Sequence, residues 1–96
     1  MEIAIRLTAS TEPGDVLESL YEMLGRAAAS RPRHFLQALL QENQGRSCLG
    51  VNFLGERFVD DFKAQKAEIA RRKSKLRDVK APHLKDIRDL CLKTLG

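Results

Sequence analysis

The large apolar residues of this chain recur at steps of three and four, and single prolines and glycines cut that pattern into helix-length pieces. From Asp15 to Ala29 the stripe runs through Val16, Leu17, Leu20, Met23, Leu24, Ala27 and Ala28, which is the spacing of an amphipathic helix. Arg31 precedes Pro32, so its backbone is pushed away from helical angles. Pro32 itself fits the first turn of a following helix, where a missing N–H costs nothing. Ser30 is the expected N-cap of that helix. Phe35, Leu36, Leu39 and Leu40 form its inner face, and Asn43, Gln44 and Gly45 offer a stop. Two helices joined by so short a break predict an antiparallel hairpin.

The flanking segments extend the same class of structure. In residues 1 to 10, Ile3, Ile5 and Leu7 alternate as in a strand, while Ile3, Ala4, Leu7 and Thr8 fit one face of a helix. A lone strand has nothing to pair with, and nothing else in the chain reads as strand, so this segment is expected to be helical. Thr11, Pro13 and Gly14 then break the chain. Residues 45 to 55, GRSCLGVNFLG, form a Gly-punctuated apolar connector, with Asn52 as a candidate cap.

Beyond the connector, Phe58, Val59, Phe62, Ile69, Leu76 and Val79 keep a helical period up to Pro82. This predicts a third helix of about 25 residues, about 37 Å long at 1.5 Å per residue and about twice the length of its neighbours. Pro82 opens a short last helix with the face Leu84, Ile87, Cys91 and Leu95. Ninety-six residues suit one core and are too few for two. The expected fold is therefore all-α, a single domain over residues 1 to 96 built as a small bundle of four to five helices. The first hairpin, with Pro32 opening its second helix and FLQALL facing inward, resembles the hairpins of HEAT-type solenoids over about 30 residues. A short bundle produces the same spacing, and the unequal helix lengths favour the bundle.

The segment Lys63 to Lys80, KAQKAEIARRKSKLRDVK, holds eight basic residues against two acids, a charge of +6, whereas residues 1 to 62 carry −3. On a wheel at about 100° per residue, Phe58, Phe62, Ile69 and Leu76 gather into one buried stripe. Lys66, Lys73 and Lys80 flank that stripe, Arg72 lies on its other side, and Arg71 and Lys75 point away. Glu68 and Arg72 form an i, i+4 pair. A helix that tracks phosphates concentrates its cations on one face; here they wrap round the axis. The expected function is a small helical protein–protein interaction module, an adaptor, inhibitor or subunit. It would present Arg71, Arg72, Lys75 and Arg77, with the connector residues Leu49, Val51 and Phe53, to a protein partner, an acidic surface being one candidate. The alternative is nucleic-acid binding through the same helix, weakened by the lack of stacking aromatics beside the cations. The excess length predicts an overhang that docks a partner, that residues 1 to 10 or the last helix cover, or that pairs with itself. Lys66 and Lys73 oppose a Phe62, Ile69, Leu76 homo-oligomer seam.

Little in the sequence suggests catalysis. It holds no GxSxG elbow, Walker loop, HExxH or Gly-rich dinucleotide turn, and no enzyme activity, cofactor or metal is expected. His34 and His83 each stand beside a proline in a first helical turn without a ligand-spaced neighbour. Asp60 and Asp61 are adjacent, so their side chains diverge on a helix and are read as solvated charge. Cys48 and Cys91 fit no CxxC motif. They either bridge, stapling a long loop, or remain buried thiols. No run approaches the roughly 18 apolar residues needed to cross a bilayer, and MEIAIRLTAS does not read as a signal peptide. The compartment is left open.

Overall fold

The computed structural model describes residues 1–10, 12, 14–55 and 58–96. These form five α-helices, α1 Glu2–Ser10, α2 Asp15–Ser30, α3 Pro32–Asn43, α4 Phe62–Arg77 and α5 Lys85–Leu95, with a 3₁₀ turn Pro82–Leu84 leading into α5. There is no strand among the described residues, and the chain is the small all-α bundle expected. Of the residues expected to break the chain before α2, Thr11 and Pro13 lie outside the described ones.

The hairpin of α2 and α3 is the centre of the bundle. α1 packs on both of its helices, α4 packs on α2 and α5, and α5 closes back on α3. The Cα extents are 37 × 31 × 19 Å. With helices packing about 8–10 Å apart, the short dimension admits two layers. Leu24, Ala28, Phe35, Leu36, Leu39, Leu76, Leu84, Ile87 and Cys91 form one continuous core with Ala4 and Ile5 of α1 and Val51 of the connector. The last-helix face Leu84, Ile87, Cys91 and Leu95 is buried throughout.

Several boundaries differ from the sequence reading, each for a local reason. Ser30 is the last residue of α2 rather than the cap of α3. Its hydroxyl donates back to the Arg26 carbonyl at 3.1 Å, and Arg31 takes the capping position without a side-chain bond. Pro32 does open α3, and Gln44, in the left-handed region at φ 60°, ends it. α1 is helical as expected, but its inner face is Ala4 and Ile5; Ile3 and Leu7 are exposed.

The third predicted helix is the largest correction. α4 has 16 residues, as many as α2, so it is not the long helix of about 25 residues and not about twice the length of α2. Asp60 takes φ 63° and stops helix from running through from Phe58. Asp61, not Asn52, is the N-cap, its carboxylate accepting the Ala64 N–H at 3.0 Å. At the other end the chain leaves the helix after Arg77 so that Val79 can be buried. Phe62, expected inside, is 75% exposed, while Leu76 is fully buried. Phe62 stands about 40° from Leu76 round the helix axis but lies in the first turn of α4, where it is left uncovered, and with Leu76 inside the core the Phe62, Ile69, Leu76 set forms no surface seam. α4 is covered by α2 and α5, not by α1.

Candidate functional site: two grooves divided by the connector

The connector is a built loop. Gly50, at φ 76°, passes so close to α2 that a Cβ there would stand 2.9 Å from the Tyr21 carbonyl oxygen. The sulfurs of Cys48 and Cys91 lie 1.99 Å apart, at disulfide distance, tying the loop to α5, with 5.2 Å between the Cα atoms. Val51 is fully buried, and the rings of Tyr21 and Phe53 meet at 6.2 Å.

Arg72 provides the third attachment. Its Nη1 donates to the carbonyl oxygens of Val51 at 2.9 Å and Phe53 at 2.7 Å, and its Nε donates to Glu68 at 3.3 Å. The side chain is completely buried. Burial pulls the guanidinium below the ordinary arginine range, and Glu68 acts in the opposite direction; arginine's ordinary value is so high that it stays charged at neutral pH. Among the described residues, Nη2 of Arg72 is buried without a hydrogen-bond partner. Arg72 therefore belongs to the interior. It cannot be part of the docking surface expected for it, because two loop carbonyls and one carboxylate hold it there. Val51, expected on that surface, is also inside, its side chain packed in the apolar core.

The other three expected site residues do not converge either. Arg71 is paired with Glu68 at 3.2 Å and lines a small recess with Arg26 and Ser30. Lys75 is exposed. Arg77 lies on the opposite flank, where it joins Lys66 and Lys73 around a groove of about 520 Å³ lined also by Leu54, Gln65, Ile69 and Ala70. At about 100° per residue, Lys66, Lys73 and Arg77 fall within about 40° of one another and about 140° from Arg71. None of the three makes a side-chain ion pair among the described residues. Of the cations of α4, Arg72 is thus buried, Arg71 is paired at the surface, and Lys66, Lys73 and Arg77 converge on one groove. A wheel centred on Phe62 blurred that sorting.

A second groove, also about 520 Å³, lies along the first two turns of α2 and is lined by Asp15, Glu18 and Glu22 with Phe53, Gly55 and Val59. Gly55, at φ 88°, leaves room for the Glu22 side chain, whose Cδ would stand 2.7 Å from a Cβ there. These three carboxylates are also outside every ion pair of the described residues. Consecutive connector residues separate the two grooves: Phe53 and Gly55 line the acidic one, and Leu54 lines the basic one. The sequence reading missed the acidic groove, although its carboxylates stand at i, i+3 and i+7 on one helix.

His34 faces Glu2 at 2.6 Å across the α1–α3 contact. Among the described residues, no group of three or more His, Cys, Asp or Glu is placed to hold a metal ion, and no helix is long and apolar enough to cross a membrane. Compared with protein-family models, with curated proteins and with solved structures, the chain matches none.

Proposed function

We propose that this chain is a protein-binding module whose α4 groove receives an acidic amphipathic helix of a partner protein. The observation that carries the reading is the combination in that groove of three cations outside every ion pair of the described residues, Lys66, Lys73 and Arg77, with the apolar side chains of Leu54, Ile69 and Ala70. A helix laid in such a groove buries its apolar face on those apolar side chains and sets carboxylates against the cations. Complementary charge steers the encounter and fixes the register, while the desolvated apolar contact contributes affinity. Phe62, exposed one turn before Lys66, extends the apolar surface available to such a partner. An adaptor, inhibitor or subunit works by offering a rigid face of this kind, and the triply anchored connector keeps Leu54 in place.

The test is fluorescence anisotropy with a labelled helical peptide of about 16 residues, four to five turns, carrying Leu on one face and Glu at i, i+4 spacing beside it. The peptide should bind, and Lys66→Glu with Lys73→Glu should weaken it at least tenfold, about 1.4 kcal/mol. Arg71→Glu, on the opposite flank, should leave binding within about twofold, under 0.5 kcal/mol. Equal binding of a charge-reversed peptide would sink the reading. Tighter binding of a duplex or single-stranded oligonucleotide, with a steep fall as salt rises, would replace it with nucleic-acid recognition.

A further inference from the structure

We infer that the chain associates with itself head to tail, the acidic groove of α2 on one copy receiving the basic flank of α4 on the next. The inference rests on the reading of the α4 groove as a seat for acidic surfaces, and it names one occupant. The two faces match in sign and in number: Asp15, Glu18 and Glu22 on one, Lys66, Lys73 and Arg77 on the other. They also match in spacing. Asp15 to Glu22 and Lys66 to Lys73 are both seven-residue separations, about 10.5 Å along a helix, so two carboxylates of one copy can meet two ammonium groups of another in a single register.

Intramolecular pairing is closed to them. The connector stands between the grooves, with Leu54 on one side and its neighbours Phe53 and Gly55 on the other, and none of the six side chains has an ion-pair partner within the described chain. Exposed apolar residues lie at both faces: Val59 in the acidic groove, 64% exposed, and Phe62 one turn before Lys66, 75% exposed. Covering them adds an apolar contribution to the charge pairing. Because the two faces differ, the contact is heterologous and leaves a free face at each end of the pair, so association continues into rings or open chains. The net charge of +4 repels copies in a random encounter, so attraction at low salt requires opposed faces. An assembled copy also has its α4 groove occupied, which sets self-association in competition with a partner helix.

Sedimentation of the full chain over increasing concentration, up to about 1 mM, tests this at about 50 mM and about 500 mM salt. The weight-average mass should at least double at low salt and return to that of the monomer at high salt. Glu18→Gln with Glu22→Gln removes one face, and Lys66→Gln with Lys73→Gln removes the other. Each variant alone should stay monomeric, and an equimolar mixture should give a one-to-one heterodimer that grows no further. A wild-type chain that is monomeric throughout, a single-face variant that still self-associates, or a mixture that does not pair would each overturn the inference. The wild-type salt comparison decides the matter even where a variant loses helicity. The Glu18→Gln, Glu22→Gln variant retains its α4 groove and should still bind the acidic peptide. If the acidic peptide binds while the wild-type chain stays monomeric at low salt, only the present inference falls; failure of the peptide to bind takes the proposed function with it.

Discussion

Arg72 lies directly beneath Gly25: a Cβ built on that glycine would stand 2.7 Å from Nη1 of the guanidinium, and 2.6 Å from the Phe53 carbonyl oxygen that Nη1 bonds. Gly25 is in the middle of α2, where glycine ordinarily weakens a helix by about 0.5–1 kcal/mol relative to alanine. Its presence is explained by the close approach of the loop and the arginine. Gly25→Ala should therefore destabilise the fold by about 2 kcal/mol, the 1–3 kcal/mol of overpacking offset in part by helix propensity. Urea denaturation reads the sign directly, since an unconstrained mid-helix site would gain stability instead.

Removing the arginine should cost more than crowding it. Arg72→Ala leaves the carbonyls of Val51 and Phe53 and the carboxylate of Glu68 without their donor, and breaking a buried charge pair from one side costs about 3–5 kcal/mol. Arg72→Met, which keeps the length of the stem, should recover part of the packing but none of the hydrogen bonds. The same denaturation measurement should place Met between Ala and wild type. A wild-type midpoint for Arg72→Ala would mean that the guanidinium does not hold the connector.

Where the physics is local, the sequence was sufficient. The break at Arg31 and Pro32, the stripe of Leu84, Ile87, Cys91 and Leu95, and the stop at Gln44 all follow from neighbouring residues, and the structure has them where expected. Arg72 could not be placed that way, because its burial is decided by loop carbonyls about twenty residues upstream and by the absent side chain of Gly25. Phe62 was misplaced for a related reason. A period running back through Phe58 to a helix start near residue 56 concealed the cap at Asp61, which leaves Phe62 exposed in the first turn of α4, while Arg72 and Leu76 further along are buried. The basic groove was partly legible in Lys66 and Lys73 flanking the stripe, but its lining residue Leu54 comes from the connector, which no helical wheel contains.

The Cys48–Cys91 pair spans 43 residues of sequence and ties the connector to α5. Cross-linking a loop of that size lowers the entropy of the unfolded chain by an amount equivalent to about 4 kcal/mol. Cys48→Ser with Cys91→Ser should lower stability by up to that amount, and a thiol reductant should bring wild type toward the same denaturation midpoint. Intact mass under non-reducing conditions should be lower than under reducing conditions by two hydrogens. An unchanged mass together with a reductant-insensitive midpoint would mean that the two residues are a packed thiol pair and contribute as small apolar groups.

Acid should loosen the bundle through two carboxylates. The hydrogen bond with His34 holds the Glu2 carboxyl below the ordinary glutamate range, and the hydrogen bond with Arg88, aided by Lys85, holds Asp89 below the ordinary aspartate range. Unfolded, such groups titrate near pH 4. A carboxylate whose folded value is depressed contributes its full stabilisation above the unfolded value and loses it as pH falls through the folded one. Stability should accordingly be flat with respect to these two groups from neutrality down to about pH 5 and should decline below about pH 4. Glu2→Gln removes one of the two titrating groups, so its acid limb should be shallower than that of wild type, with the change concentrated in α1 because the pair joins α1 to α3. Hydrogen exchange of the α1 amides at pH 3 and pH 6, corrected for intrinsic rates, reads this directly. Equal protection of α1 at the two pH values would show that the Glu2–His34 contact does not hold α1 to the hairpin.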